Sequence, residues 1–277
     1  MTKYRYSLRA RAFLVMTILL TLVLVGFLAQ GKPLVITTTT VGKDLVDQVG
    51  GEYVENYTII PSGLCPSHYD VKPSDYDAVK DASLVIFHGV EPWLEGLLQA
   101  TGNQDVLKHE TGGPWNLPPN AAEIGEEIAE SLSEVDPDHE AEYSSNAEKF
   151  RESIEQLSSQ LQEEAQQKEV EDVKAIVMQW QKAFLLWLGF QVVADYPPPE
   201  TVSAKNFDDL VRTGEEEEVT LIVDNLQSGT DFGAKLANKL EANHVVLSNF
   251  PEGDRGYEGL IRSNVEKLFG ALDREAE

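Results

Sequence analysis

Pro61-Ser-Gly-Leu-Cys-Pro-Ser-His-Tyr-Asp-Val-Lys-Pro-Ser-Asp75 is the stretch on which the fold turns. A strand-like run from Tyr53 to Ile60 leads into it, and Lys-Pro-Ser-Asp at its end is a helix start. Between them sits one imidazole, His68, two residues past Pro66. A ring held in a stiff turn at the end of a strand has little entropy left to lose. It is therefore suited to be aimed into a cleft as a metal ligand. A second apolar strand follows at once in Ser83-Leu-Val-Ile-Phe-His-Gly89.

Working outward, strands and helices alternate. Pro33-Leu-Val-Ile-Thr-Thr-Thr-Thr40 reads as a first strand, Val41 to Val49 as a helix, Ser74 to Asp81 and Trp93 to Ala100 as further helices. Past a Pro- and Gly-rich break at Thr111 to Pro119, Ala121 to Leu132 is helical. Asp136-Pro137 then opens a helix pattern that continues to about Lys168. Tyr143, Ala147, Phe150, Ile154, Leu157 and Leu161 mark its buried face. Roughly 48 Å of helix is too long for one small lobe and suits a rod crossing two. The alternation restarts with strands at Val173–Met178, Gln191–Ala194, Val219–Asp224 and His244–Leu247, and helices at Gln181–Leu188, Asp231–Leu240 and Gly256–Leu272. The expected class is α/β: two lobes, each with a central mostly parallel sheet flanked by helices, joined by one long backbone helix. The expected boundaries are 1–32 for a leader, 33–135 for the N-terminal lobe, 136–170 for the linking helix and 171–277 for the C-terminal lobe.

The chain has 47 acidic and 22 basic side chains, a net charge of −25. Such a surface repels nucleic acid, which is excluded as a partner, and keeps a protein soluble in salty surroundings. Lys3, Arg5, Arg9 and Arg11 precede a run from Ala12 to Ala29 that carries no charge. As a helix it spans roughly 27 Å, close to a bilayer core. Phe27 spoils the small-residue cleavage pattern before Ala29. The segment therefore reads as a signal-anchor or an inefficiently cleaved signal peptide. It places the body outside the cytoplasmic membrane, anchored or secreted. Cys65 is the only cysteine, so there is neither an internal disulfide nor an N-terminal lipidation cysteine.

Three segments resemble the solute-binding proteins of metal-ion ABC importers, the zinc and manganese receptor family. Gly63-Leu-Cys-Pro-Ser-His-Tyr-Asp-Val-Lys-Pro-Ser-Asp75 is similar to the family's Gly-x-Asp-Pro-His-x-Tyr-Glu-x-x-Pro-Ser-Asp. Asp81-Ala-Ser-Leu-Val-Ile-Phe-His-Gly-Val-Glu-Pro-Trp93 is similar to its Ala-Asp-Leu-Val-x-x-Asn-Gly segment. Trp115-Asn-Leu-Pro-Pro-Asn-Ala121 is similar to its Trp-Leu-Asp-Pro-x-Asn-Ala. The resemblance covers Pro33 to Leu272. It implies a monomeric receptor that captures a transition-metal ion between two lobes, zinc first and manganese, iron or copper as alternatives. It also implies an ABC permease with its ATPase as partners. On this alignment His68 takes the first ligand position. The family's other two histidines fall at Gly113 and near Met178, and its aspartate at Ser248.

The familiar ligand set is thus incomplete. Cys65 and His68 have the spacing of paired ligands in a tight turn. Met178 would add a thioether that favours a soft ion. Asp224 ends a strand where open α/β sheets bind ligands and would add an oxygen. Cys65 and Met178 are equally suited to the core, Asp224 to capping a turn, and Trp180 either to the core or to a cleft that takes a larger chelate. His88, His109, His139 and His244 are expected to be structural or exposed. Two alternatives stay open: a receptor for a metal chelate or other small organic ligand, and an anchored surface or adhesion protein outside transport. No nucleophile–base pair, phosphate loop or His-Glu-x-x-His supports an enzyme.

Overall fold

Two four-stranded sheets share one strand order: second, first, third, fourth, counting each sheet's strands along the chain. The computed structural model describes residues 31–273. The strands are β1 Leu34–Thr37, β2 Glu55–Thr58, β3 Leu84–Phe87, β4 Leu107–Glu110, β5 Lys174–Met178, β6 Gln191–Tyr196, β7 Leu221–Asn225 and β8 Asn243–Leu247. Every pairing is parallel. The second sheet therefore repeats the topology of the first, and the expected α/β class with two parallel sheets is found. The expected leader lies outside the described residues. Among those described, no helix is long and apolar enough to cross a membrane.

The helices are α1 Thr40–Gly50, α2 Pro73–Val79, α3 Leu94–Thr101, α4 Pro118–Val135, α5 Glu140–Gln167, α6 Lys182–Leu188, α7 Ala204–Glu216, α8 Asp231–Leu240 and α9 Gly256–Leu272. Their starts follow from local chemistry. Thr39 caps α1 by accepting from the Gly42 amide at 3.3 Å. Asp75 caps α2 by accepting from the Lys72 amide at 2.7 Å and the Tyr69 hydroxyl at 2.9 Å. Ser203 and Asn206 form a capping box at the start of α7. Gly189 ends α6 at φ 104°, a backbone geometry that side-chain-bearing residues resist.

The long helix α5 has 28 residues and is about 42 Å long. A single 3-10 turn, Pro137–His139, precedes it. Tyr143, Ala147, Phe150, Ile154, Leu157, Leu161 and Ala165 form its buried face, as the periodicity predicts. That face lies in one apolar core that includes Val35 and Leu84 of the first sheet and Ala175 and Val223 of the second. The opposite faces of the two sheets pack separate clusters, one around Ile36 and Val85, the other around Ile176 and Ile222. A shared core along α5 ties both sheets to one rod and limits how far they can move apart. Further polar bonds join the halves: the Asp44 carboxylate accepts from the Tyr257 amide at 2.7 Å, and the Thr40 hydroxyl donates to the Pro251 carbonyl at 3.2 Å.

Candidate binding cleft

The carboxyl ends of both sheets border one cavity of about 410 Å³. This is where ligands of doubly wound sheets bind, outside the strand ends beside the switch in strand order. Cys65 and Ser67 come from the turn after β2, His88 from the end of β3, and Trp115 and Asn116 from the segment after β4. The second sheet supplies Gln179 and Trp180 after β5, Asn225 and Gln227 from β7 and its turn, and Asn249 and Phe250 after β8.

The wall on the first sheet is built on His88. Its Nε2 lies 2.6 Å from the Thr39 hydroxyl and its Nδ1 2.7 Å from the Thr111 hydroxyl. Burial pushes this imidazole down to about 3, so it is neutral at physiological pH. Glu91 fixes the turn behind it, accepting from the Thr38 hydroxyl at 2.6 Å, the His88 amide at 3.1 Å and the Val90 amide at 2.8 Å. Trp115 stacks on His88 with ring centres 4.1 Å apart and on Phe250 at 5.9 Å.

Amides knit the two halves together. Asn249 Oδ1 accepts from Gln181 Nε2 at 2.6 Å and Asn116 Nδ2 at 3.2 Å. Trp115 Nε1 donates to the Asn249 carbonyl at 3.2 Å. Gln227 Nε2 donates to the Ser62 carbonyl at 3.1 Å and to Ser248 Oγ at 3.0 Å, while its Oε1 accepts from the Asn249 amide at 3.1 Å. These bonds join the loops of the two lobes across the cavity.

Of the candidate ligands, Cys65 alone lines the cavity, as a half-buried free thiol. His68 is exposed and faces away. Pro66–His68 is a 3-10 turn, in which successive side chains point about 120° apart, so Ser67 faces the cavity and His68 the solvent. Trp93 Nε1 pins the turn by donating to the Pro66 carbonyl at 2.9 Å. Met178 is fully buried, and its sulfur accepts from the Trp180 amide at 3.3 Å. Asp224 is fully buried beneath α8, hydrogen-bonded to the Tyr196 hydroxyl and, at 2.7 Å, to His244 Nε2. Burial and then the Asp224 charge push the Tyr196 phenol well up. Ser248 is buried, its hydroxyl donating to the Phe250 carbonyl at 2.9 Å.

The lining residues are Ser67, Gln179, Asn225 and Asn249, each adjacent in sequence to His68, Met178, Asp224 and Ser248. At a strand end, neighbouring side chains point to opposite faces, so Met178 and Asp224 pack inward while Gln179 and Asn225 line the cavity. Gly233 shows how tight that packing is: a Cβ there would stand 2.2 Å from Asp224 Oδ2. His88, expected to be structural, does build the wall, whereas His139 stacks on Tyr53 at 4.4 Å. Among the described residues no group of three or more His, Cys, Asp and Glu is arranged to hold a metal ion.

Residues 35–271 match the family described as zinc-uptake complex component A, periplasmic. The chain belongs to that family. It is a family of solute-binding receptors, not of enzymes. The manganese-binding lipoprotein MntA of Halalkalibacterium halodurans is 29% identical over 139 residues, 44% of this chain and 46% of the relative. The iron-binding protein YfeA of Yersinia pestis is 26% identical over 182 residues, 56% of this chain and 58% of the relative. The chain thus spans about half the length of the curated relatives it matches. Among solved structures, the crystal structure of ZnuA superposes with a TM-score of 0.74 at 20% identity, covering 87% of this chain and all of that one (100%). The laminin-binding protein Lmb of Streptococcus agalactiae gives 0.71 at 21% identity, covering 87% of this chain and 99% of that one. The fold expected from the motif resemblance is the fold of these proteins.

Proposed function

We propose that this chain is the extracytoplasmic solute-binding component of an ABC importer. It captures cargo between its two lobes and presents it to a membrane permease driven by a cytoplasmic ATPase. One observation carries this reading: in a member of a receptor family, the carboxyl ends of two topologically identical sheets border a single cavity of about 410 Å³. That volume lies within the range of small-molecule sites. The N-terminal apolar segment would hold the receptor at the outer face of the membrane.

Family membership favours a transition metal as cargo, with zinc the first expectation. The side chains at the cleft do not fit a bare ion. Zinc takes four donors from thiolate, imidazole or carboxylate, and the lining offers one thiol, from Cys65, and an imidazole, His88, whose ring nitrogens lie against Thr39 and Thr111. A metal therefore enters this cleft with its own ligands, as a chelate, or the cargo is organic.

Thermal denaturation in the presence of metal salts, metal chelates and small organic solutes tests the receptor role. A true cargo raises the melting temperature of the wild type. It has no effect on Ala183→Trp, which fills the cavity from the first turns of α6. Stabilisation by none of these solutes would overturn the receptor reading in favour of an anchored surface protein.

A further inference from the structure

The cleft has a property that neither the family nor its relatives' names supply: none of its lining side chains carries a charge. The chain holds 47 acids and 22 bases, yet no Asp, Glu, Lys or Arg faces this cavity. Its one histidine, His88, is neutral. Moving an ion from water into such a site, with no opposite charge to meet it, is strongly unfavourable for either sign. The lining thus selects against free metal cations and against carboxylate or phosphate solutes alike.

What the cavity offers instead is a flat apolar face and uncommitted hydrogen-bonding groups. Trp180 lines the cavity, remains 47% exposed, and has no ring partner among the described residues. An indole so placed is available for stacking. Trp115, by contrast, is engaged by His88 and Phe250. Beside Trp180, the Gln179 amide makes no side-chain hydrogen bond among the described residues, and at the mouth the Ser67 hydroxyl makes none either. A primary amide presents a donor and an acceptor side by side. Its natural complement is an acceptor and a donor along one edge of a planar molecule.

We propose that the cargo is an uncharged, planar solute with paired hydrogen-bond donor and acceptor on one edge, stacked on Trp180 and read by Gln179. A nitrogen heterocycle fits this description, as does a neutral metal chelate of one. This assignment rests on the receptor reading above and narrows its cargo.

Isothermal titration of the wild type with two sets of probes tests it. The uncharged set is adenine, uracil, nicotinamide and the neutral zinc chelate of hydroxyquinoline. The charged set is zinc chloride, manganese chloride, glutamate and putrescine. The expected result is one-to-one binding by a member of the uncharged set only. Trp180→Ala should weaken it by about 10-fold or more, in line with the loss of one stacked ring, while Trp180→Phe retains most of the affinity. Because Trp180 is half exposed, these variants keep the fold, which circular dichroism confirms independently. Binding by the charged set alone, unchanged in Trp180→Ala, would overturn the cargo class and leave the receptor role standing. Binding by an uncharged probe that is indifferent to Trp180→Ala would overturn the stacking assignment. No binding by either set would overturn both.

Discussion

Gln227 reaches across the cleft to Ser62, its Nε2 donating to the Ser62 carbonyl at 3.1 Å over a separation of 165 residues. The same side chain serves Ser248, Asn225 and the Asn249 amide. One amide thus connects the turn before Cys65 with the loops after β7 and β8.

Gln227→Ala removes this staple and leaves the buried Asn225 and the Asn249 amide short of a partner. Stability should fall by about 1–3 kcal/mol in urea unfolding. Small-angle scattering should also show an expanded solute-free form. Unchanged scattering would mean that the α5 core alone fixes the lobes.

His88 sits at about 3 in the folded chain against an ordinary 6.5, because burial disfavours its charged form. The unfolded chain therefore takes up this proton first as pH falls. The stability held by the neutral ring is complete above about pH 6.5 and drains towards pH 3, by up to about 1.4 kcal/mol per pH unit. His88→Gln should flatten that part of the stability–pH curve relative to wild type. Parallel curves for the two proteins would contradict a neutral buried ring.

Asp224 is buried and hydrogen-bonded within the fold, to the Tyr196 hydroxyl and to His244 Nε2. Asp224→Ala should cost about 3 kcal/mol, since it removes the partner of the His244 ring and leaves the buried Tyr196 hydroxyl only the Val223 carbonyl at 3.4 Å. Asp224→Asn should recover part of that loss. Cargo affinity, measured by titration below the unfolding temperature, should be the same in Asp224→Asn and wild type.

Phe150 lies in the seam that α5 shares with α4, where a Cβ on Gly125 would stand 2.9 Å from its ring. Phe150→Ala should destabilise by about 3–5 kcal/mol. Because the seam lies outside the cleft lining, cargo affinity should change little.

The α/β alternation and the long helix are legible in the sequence because buried parallel strands are β-branched runs and α5 keeps a regular apolar stripe. Two elements are not. β4, Leu107–Glu110, contains Lys108, His109 and Glu110 and is a sheet edge with alternating exposure, so it lacks the apolar run that marks its neighbours. In α7, Phe207, Leu210, Val211 and Gly214 form a helical stripe diluted by Asp208, Asp209 and Glu215, and the Ser203–Asn206 capping box is its clearer signal. At the cleft, the strand-end rule leads to the loops that border the cavity, but not to which side chain of each loop lines it. His68 and Asp224 carry the chemistry that a motif search rewards, while Ser67 and Asn225 line the cavity. Amides such as Gln179 and Asn249 leave no spacing signature, because their role emerges only when distant strand ends meet.

Native mass spectrometry of the protein as isolated, with elemental analysis of the same sample, tests the central claim most directly. An uncharged cleft predicts one equivalent of an organic molecule or neutral chelate on the wild type, absent from Ala183→Trp. A stoichiometric bare metal ion with no organic mass, lost in Ala183→Trp, would contradict it.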